Sequence, residues 1–164
     1  MFSKKSLVLP IALVFLSFVG VSAAQDDAHC YTLASLKGTY GVVGEYGAHL
    51  AIALATRHFD GNGNLTGAFT VNAPDPASTT GGRKLITGTQ AGTYTVNCDG
   101  TGVFTRVLTV NGVTTNQFDD FIITAATVRD GQLVATTIDD AQRTPSAIVP
   151  GGIFLTRHYT RRPD

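Results

Sequence analysis

From about residue 37 onward, apolar and polar positions alternate in short steps. No later stretch keeps apolar side chains at helical spacing through three turns. Thr, Val and the aromatic residues, which suit a pleated and half-buried surface, recur throughout. The alternation is punctuated by Asp60-Gly61-Asn62-Gly63-Asn64, Asp99-Gly100-Thr101-Gly102, Asn111-Gly112 and Asp130-Gly131. Gly and Asn tolerate the positive φ angles of hairpin turns, so each cluster marks a reversal. The pattern predicts eight strands, at about 38–46, 50–59, 64–72, 84–97, 102–110, 115–129, 132–138 and 152–161. Short links make sequence neighbours into spatial neighbours. The expected fold is therefore all-β, an eight-stranded antiparallel meander that closes into a barrel and so removes both sheet edges. A two-sheet β-sandwich is the alternative.

Strand parity assigns faces. Tyr40, Val42 and Tyr46 fall on one face, expected to point inward, with Glu45 outside. The same reasoning turns Leu65, Phe69, Val71, Ile86, Tyr94, Val96, Phe104, Leu108 and Val110 inward. Gly88, Gln90 and Gly92 share the inward face of the fourth strand and leave room in a lumen. Arg106 lies between Phe104 and Leu108, so it too points inward, where a charge without a partner is costly. Asp120 shares parity with Phe118 and Ile122 on the next strand and is the expected partner. Arg57 has two readings. Leu50, Ile52 and Leu54 argue for one inward face, whereas Phe59 argues for the face of Arg57 itself, shared with Ala51, Ala53 and Ala55. The candidate ligand-binding residues are Tyr40, Arg57, Tyr94, Arg106 and Asp120. A structural ion pair, or Arg side chains reaching out from the barrel mouth, would account for the same charges without a ligand.

The amino end has a different character. Lys4 and Lys5 precede an apolar run from Leu7 to Val19, followed by the small residues Val21-Ser22-Ala23-Ala24. That order is the signature of a secretory signal peptide, here 1–24, and the apolar run is short for a membrane span. The expectation is a secreted or periplasmic protein with one domain over 25–164 and no stable membrane insertion after cleavage. Losing Lys4 and Lys5 lowers the 12 basic residues to 10 against 12 acidic ones, a net charge of two negative. No basic footprint suited to nucleic acid remains. Cys30 and Cys98, an even pair in an exported chain, are expected to form a disulfide.

Other motifs weaken when tested. Asp60, Asn62 and Asn64 have the spacing that opens a calcium loop, but Leu65 stands where the loop needs Gly and Val71 where it needs Glu. Asp119-Asp120 and Asp139-Asp140 are adjacent in sequence, and adjacent strand residues face opposite ways, so neither is a dyad by itself. Asp139-Asp140 is expected in a solvated loop. His29, His49, His58 and His158 show no zinc-ligand spacing and no triad order. No metal or cofactor is expected.

Three segments carry a resemblance: Leu36-Lys37-Gly38-Thr39-Tyr40-Gly41, Phe59-Asp60-Gly61-Asn62-Gly63-Asn64-Leu65-Thr66-Gly67, and Gly92-Thr93-Tyr94-Thr95-Val96-Asn97-Cys98-Asp99-Gly100-Thr101-Gly102. Together they resemble a family of exported bacterial proteins of unknown function, similar in turn to calycin or allene-oxide-cyclase-type barrels. The resemblance implies a barrel and carries no chemistry, since a fold does not fix a function. Arg57 and Arg106 stand where that family tends to place apolar residues. Three functional classes compete: a barrel binding a small, partly apolar or anionic ligand in its lumen, a structural or surface domain with a filled core, and a cyclase-like enzyme.

Overall fold

Eight strands follow from the alternation: β1 (Gly38–Tyr46), β2 (Ala51–Phe59), β3 (Asn64–Pro74), β4 (Arg83–Val96), β5 (Thr101–Val110), β6 (Val113–Arg129), β7 (Gln132–Gln142) and β8 (Leu155–Arg161). A computed structural model describes residues 30–149 and 151–163. The expected leader 1–24 lies outside the described residues. Each strand pairs antiparallel with the next, and β8 returns to β1, so the meander closes into a barrel. The sandwich alternative is thereby replaced by the closed form. Asn111-Gly112 and Asp130-Gly131 both adopt positive φ, the backbone that a two-residue hairpin requires. In the turn between β2 and β3, the Asp60 carboxylate accepts hydrogen bonds from Asn62 N, Asn64 N and Asn64 Nδ2. Those oxygens are committed to the turn, as a hairpin reading requires.

One end of the barrel is plugged by a 3-10 turn, Leu33–Leu36, whose Leu36 is fully buried. The disulfide between Cys30 and Cys98, with Cα atoms 4.4 Å apart, ties this plug to the β4–β5 turn. Tyr31 N also donates to Cys98 O at 3.1 Å. At the opposite mouth the stretch 143–149 seats Val149 in an apolar cluster with Tyr46, Phe69, Val71, Leu108 and Leu155. Ser146 Oγ fixes its path by accepting from Ile148 N and Val149 N.

Two sequence assignments are corrected here. β7 runs to Gln142, so Asp139-Asp140 lies within a strand, and Asp140 is buried. On β6 the inward face holds Gln117, Asp119, Phe121 and Ile123, while Phe118, Asp120 and Ile122 are exposed. Both faces of β6 carry large apolar residues, so alternation there points either way.

Candidate functional site

Because side chains of one face recur every second residue, each strand climbs through the lumen in two-residue steps. β5 contributes Phe104, then Arg106, then Leu108. β2 contributes Phe59, Arg57 and Ala55, β6 contributes Phe121, Asp119 and Gln117, and β7 contributes Ile138, Asp140 and Gln142. The result is a layered lumen. An aromatic floor lies above the plug, a polar belt lies across the middle, and a second apolar cluster lies against the stretch 143–149.

The register places a glycine beside each arginine of the belt: Arg57 opposite Gly67, Arg106 opposite Gly92, and Arg157 opposite Gly44. A Cβ on Gly44 would come within 2.9 Å of Arg157 Cγ, and one on Gly92 within 2.0 Å of Thr105 O. Close strand approach and room for three guanidinium stems thus depend on absent side chains.

The belt is a connected network. Arg106 donates from Nε to Asp119 Oδ2 at 2.6 Å and from Nη2 to Oδ1 at 2.8 Å, and its Nη1 donates to Gln90 Oε1 at 2.9 Å. Arg157 donates from Nη2 to Asp119 Oδ1 at 2.5 Å and pairs through Nε with Asp140 at 2.9 Å. Arg57 donates from Nη2 to Gln90 Oε1 at 2.9 Å and from Nη1 to the Tyr159 hydroxyl, which itself donates to Asp140 Oδ2. Arg57 Nη1 lies 3.8 Å from Asp140 Oδ2, and its Nε has no hydrogen-bond partner. Arg57 is therefore the least compensated of the three, although it is only 1 % exposed. Its guanidinium also lies over the rings of Phe104 and Tyr159, at 5.1 Å and 4.9 Å from their centroids.

These surroundings set the protonation states. Burial, aided by repulsion from Arg106 and Arg157, lowers the Arg57 pKa to about 10 against the pull of Tyr159 and Asp140, so it stays a cation at neutral pH. Burial raises the Tyr159 pKa, keeping the phenol protonated and able to donate to Asp140. Burial works against ionising Asp119, but Arg157 and Arg106 outweigh it and hold the carboxyl below its ordinary range. Arg157 likewise overcomes burial through Asp140, Tyr159 and Asp119 and is raised. Three buried cations face two buried carboxylates among the described residues, an excess of one positive charge.

Between the belt and the upper apolar cluster lies a cavity of about 30 Å³. By the rule that one water needs roughly 10–15 Å³ of such space, it has room for a very small group. Arg57, Arg106, Arg157, Gln90 and Gln142 line its polar side, and Phe69, Leu108, Leu155 and Ile148 are among its apolar walls. Neither Asp119 nor Asp140 lines it. Arg57, Arg106 and Arg157 are thus all lining residues of the cavity, and neither carboxylate residue is.

Of the five residues singled out from sequence, Arg57 and Arg106 reach this cavity, and Arg57 takes the inward reading. Tyr40 and Tyr94 are buried in the floor. Tyr40 donates to Ala135 O at 2.9 Å, and Tyr94 donates to Leu33 O at 3.0 Å while accepting from Gly61 N at 3.1 Å. Tyr94 anchors the plug, away from the cavity. Asp120 is outside the barrel, paired with Arg143 through Oδ2–Nε at 2.7 Å and Oδ1–Nη2 at 2.5 Å. The carboxylate partner of Arg106 is its neighbour Asp119. Sequence reasoning missed Asp119, Asp140, Gln142, Arg157 and Tyr159 as lumen residues. Arg157 shares parity with Leu155 and Tyr159, a signal that was available in β8.

Among the described residues no group of His, Cys, Asp and Glu is arranged to hold a metal ion, and no helix is long and apolar enough to cross a membrane. No protein-family model, curated protein or solved structure matches the chain.

Proposed function

We propose that this chain is an exported binding barrel that takes a small monoanion, such as a carboxylate group, into the cationic cavity of its lumen. The observation that carries the reading is the charge arrangement. Three arginines are among the residues lining the cavity, neither buried carboxylate residue is, and Arg57 Nε has no hydrogen-bond partner. A carboxylate can accept from a guanidinium edge through charge-assisted bonds, and one negative charge would balance the belt. The disulfide agrees with an oxidising compartment and hence with export. A purely structural reading draws on the saturated pairs of Arg106 and Arg157, but it gives no reason for a third buried cation.

The test is calorimetric titration with sodium acetate at neutral pH and low salt, using wild type and Arg57→Met. Wild type is expected to bind acetate and to gain thermal stability from it. Arg57→Met is expected to fold and to lose both responses, since Met keeps the length and apolar contact while removing the cation. Its stability should fall within about 1 kcal/mol of wild type or above it, because a poorly compensated buried charge is removed. Equal responses in the two proteins, or none in wild type, would leave the structural reading in place.

A further inference from the structure

The barrel end that carries the 3-10 turn also carries an open cleft of about 380 Å³, within the usual size of small-molecule sites. Strand lengths create it. β6 and β7 stay paired out to Arg129 and Gln132, whereas the pairing of β5 with β6 ends at Ile122 and that of β8 with β7 ends at Thr137. The β6–β7 hairpin therefore overhangs the barrel rim. Its register shifts between Ile123 and Ala126 fall where the overhang begins, and such irregularities bend a strand. Opposite the hairpin the cleft is lined by Ala34 of the 3-10 turn, by Lys37 and Gly38 at the start of β1, and by Arg161 at the end of β8.

Arg161 is the fixed point of this cleft. Its Nη1 donates to the Tyr40 hydroxyl at 3.0 Å and its Nη2 to Lys37 O at 2.5 Å, and its guanidinium lies 5.6 Å from the Tyr40 ring centroid. Both acceptors are neutral oxygens, and Arg161 Nε has no hydrogen-bond partner. Gly38 makes the room, since a Cβ there would stand 2.6 Å from Arg161 Nη2. A guanidinium already held in one orientation by neutral groups loses little freedom when an anion arrives. With Arg161, the lining residues include Lys37 and Arg129 against one carboxylate residue, Asp130. That is an excess of two formal positive charges before His58 is counted.

We infer that the cleft binds a small soluble phosphomonoester, with its phosphate at Arg161 and Lys37 and its hydroxylated body toward Gln132 and Asp130. A phosphomonoester carries close to two negative charges above neutral pH, which matches the charge excess. Guanidinium presents its N–H donors in a planar fork that suits phosphate oxygens. Bare phosphate would leave most of the cleft unfilled. The only apolar side chains in the lining are those of Ala34 and Val134, so the body that fills it is polar. Asp130 and Gln132 are exposed, and a carboxylate there opposes an anionic membrane surface, which favours a soluble ester over a lipid headgroup. The cleft shares no lining residue with the lumen cavity, so this inference is independent of the anion reading of the belt.

The experiment is calorimetric titration of glucose 6-phosphate, inorganic phosphate and glucose at pH 8 and low salt, in wild type, Arg161→Gln, Lys37→Gln and Arg57→Met. Wild type is expected to bind glucose 6-phosphate more tightly than inorganic phosphate, and glucose not at all. Arg161→Gln should weaken the ester about tenfold, as the loss of a hydrogen bond to a charged group does. Lys37 is exposed, so Lys37→Gln should weaken it about threefold without changing thermal stability, and it reads the site even if Arg161→Gln folds poorly. Arg57→Met should leave ester binding unchanged. No binding of glucose 6-phosphate, or binding indifferent to both Arg161→Gln and Lys37→Gln, would overturn the site. Loss in Arg57→Met alone would move the phosphate into the lumen. Inorganic phosphate binding as tightly as the ester would overturn the polar body. Sedimentation with phosphatidylcholine vesicles containing phosphatidic acid, lost in Lys37→Gln, would overturn the choice of a soluble ligand.

Discussion

The floor and the belt of this lumen are built by the same strands, two residues apart, and they solve opposite problems. In the floor, Tyr40 and Phe59 meet edge to face at 5.4 Å, Phe59 and Tyr94 at 5.1 Å, and Phe104 stacks on Phe121 at 4.2 Å. The hydroxyls there reach backbone carbonyls, so the layer is filled and satisfied. One step up, the belt holds five charged groups with unequal numbers of the two signs and borders a cavity. Packing alone accounts for the floor. The belt is costly to bury and unbalanced, and such features cluster where a protein binds or reacts. Packing explains the floor in full, whereas the belt is the layer on which the proposed anion site rests.

The largest expected effects break each layer in turn. Asp119→Ala strands Arg106 and Arg157 in a dry interior and should cost about 3–5 kcal/mol in urea denaturation. Phe104→Ala should cost a similar amount by opening the floor, about 3–5 kcal/mol. A second substitution distinguishes the layers. Arg106→Met combined with Asp119→Leu should cost less than the two single changes added together, with a coupling of about 0.5–3 kcal/mol. Additive costs for that pair would mean the belt is held by shape, as the floor is.

Removing the disulfide with Cys30→Ser and Cys98→Ser should cost about 2–4 kcal/mol, because the closed loop is long. The bridge clamps the plug under the floor, so acetate binding at the belt should remain. A loss of binding in protein still folded at the assay temperature would mean that the plug end also shapes the site.

How far the sequence reached follows the same division. Turn composition located the hairpins at Asn111-Gly112 and Asp130-Gly131, and alternation placed Tyr40, Phe69, Tyr94, Phe104 and Arg106 inside, because on those strands one face is plainly more apolar. β6 defeats that logic. Phe118 and Ile122 face out while Phe121 and Ile123 face in, and register shifts between Ile123 and Ala126 break the period. Reading Asp120 inward from Phe118 and Ile122 turns Asp119 outward. Arg157 was hidden among the nearby Arg161 and Arg162. The pairing of Arg57, Arg106 and Arg157 with Gly67, Gly92 and Gly44 depends on strand register, which no local pattern encodes.

Acidity probes the belt without a mutation. Asp119 has a folded-state pKa below that of the unfolded chain, about 3.9 for an ordinary Asp. It therefore contributes stability that is full above that value and is lost as the pH falls through the lower, folded-state value. Wild type should show a steep acid loss below about pH 4, and Asp119→Asn, already destabilised, should show a shallower one. Parallel curves for the two proteins would assign the acid transition to other carboxylates.

The smallest expected effect concerns the residue next door. Asp120 and Asp119 are adjacent carboxylates, each held by an arginine through two hydrogen bonds, and each has its pKa lowered. They differ in which side of the sheet they occupy. Asp119 is fully buried, whereas the Asp120 and Arg143 side chains are 59 % and 51 % exposed. Water screens the outer pair, and holding two mobile side chains in one geometry offsets what attraction remains. Asp120→Asn should therefore leave the urea midpoint almost unchanged, where Asp119→Asn shifts it strongly. Raising the salt concentration should remove any residual difference at Asp120, since exposed charges are the ones that salt screens. Acetate binding should be unaffected, because Asp120 and the cavity lie on opposite faces of β6. A large, salt-insensitive loss in Asp120→Asn would instead place Asp120 in the lumen and reverse the β6 register on which the whole belt is built.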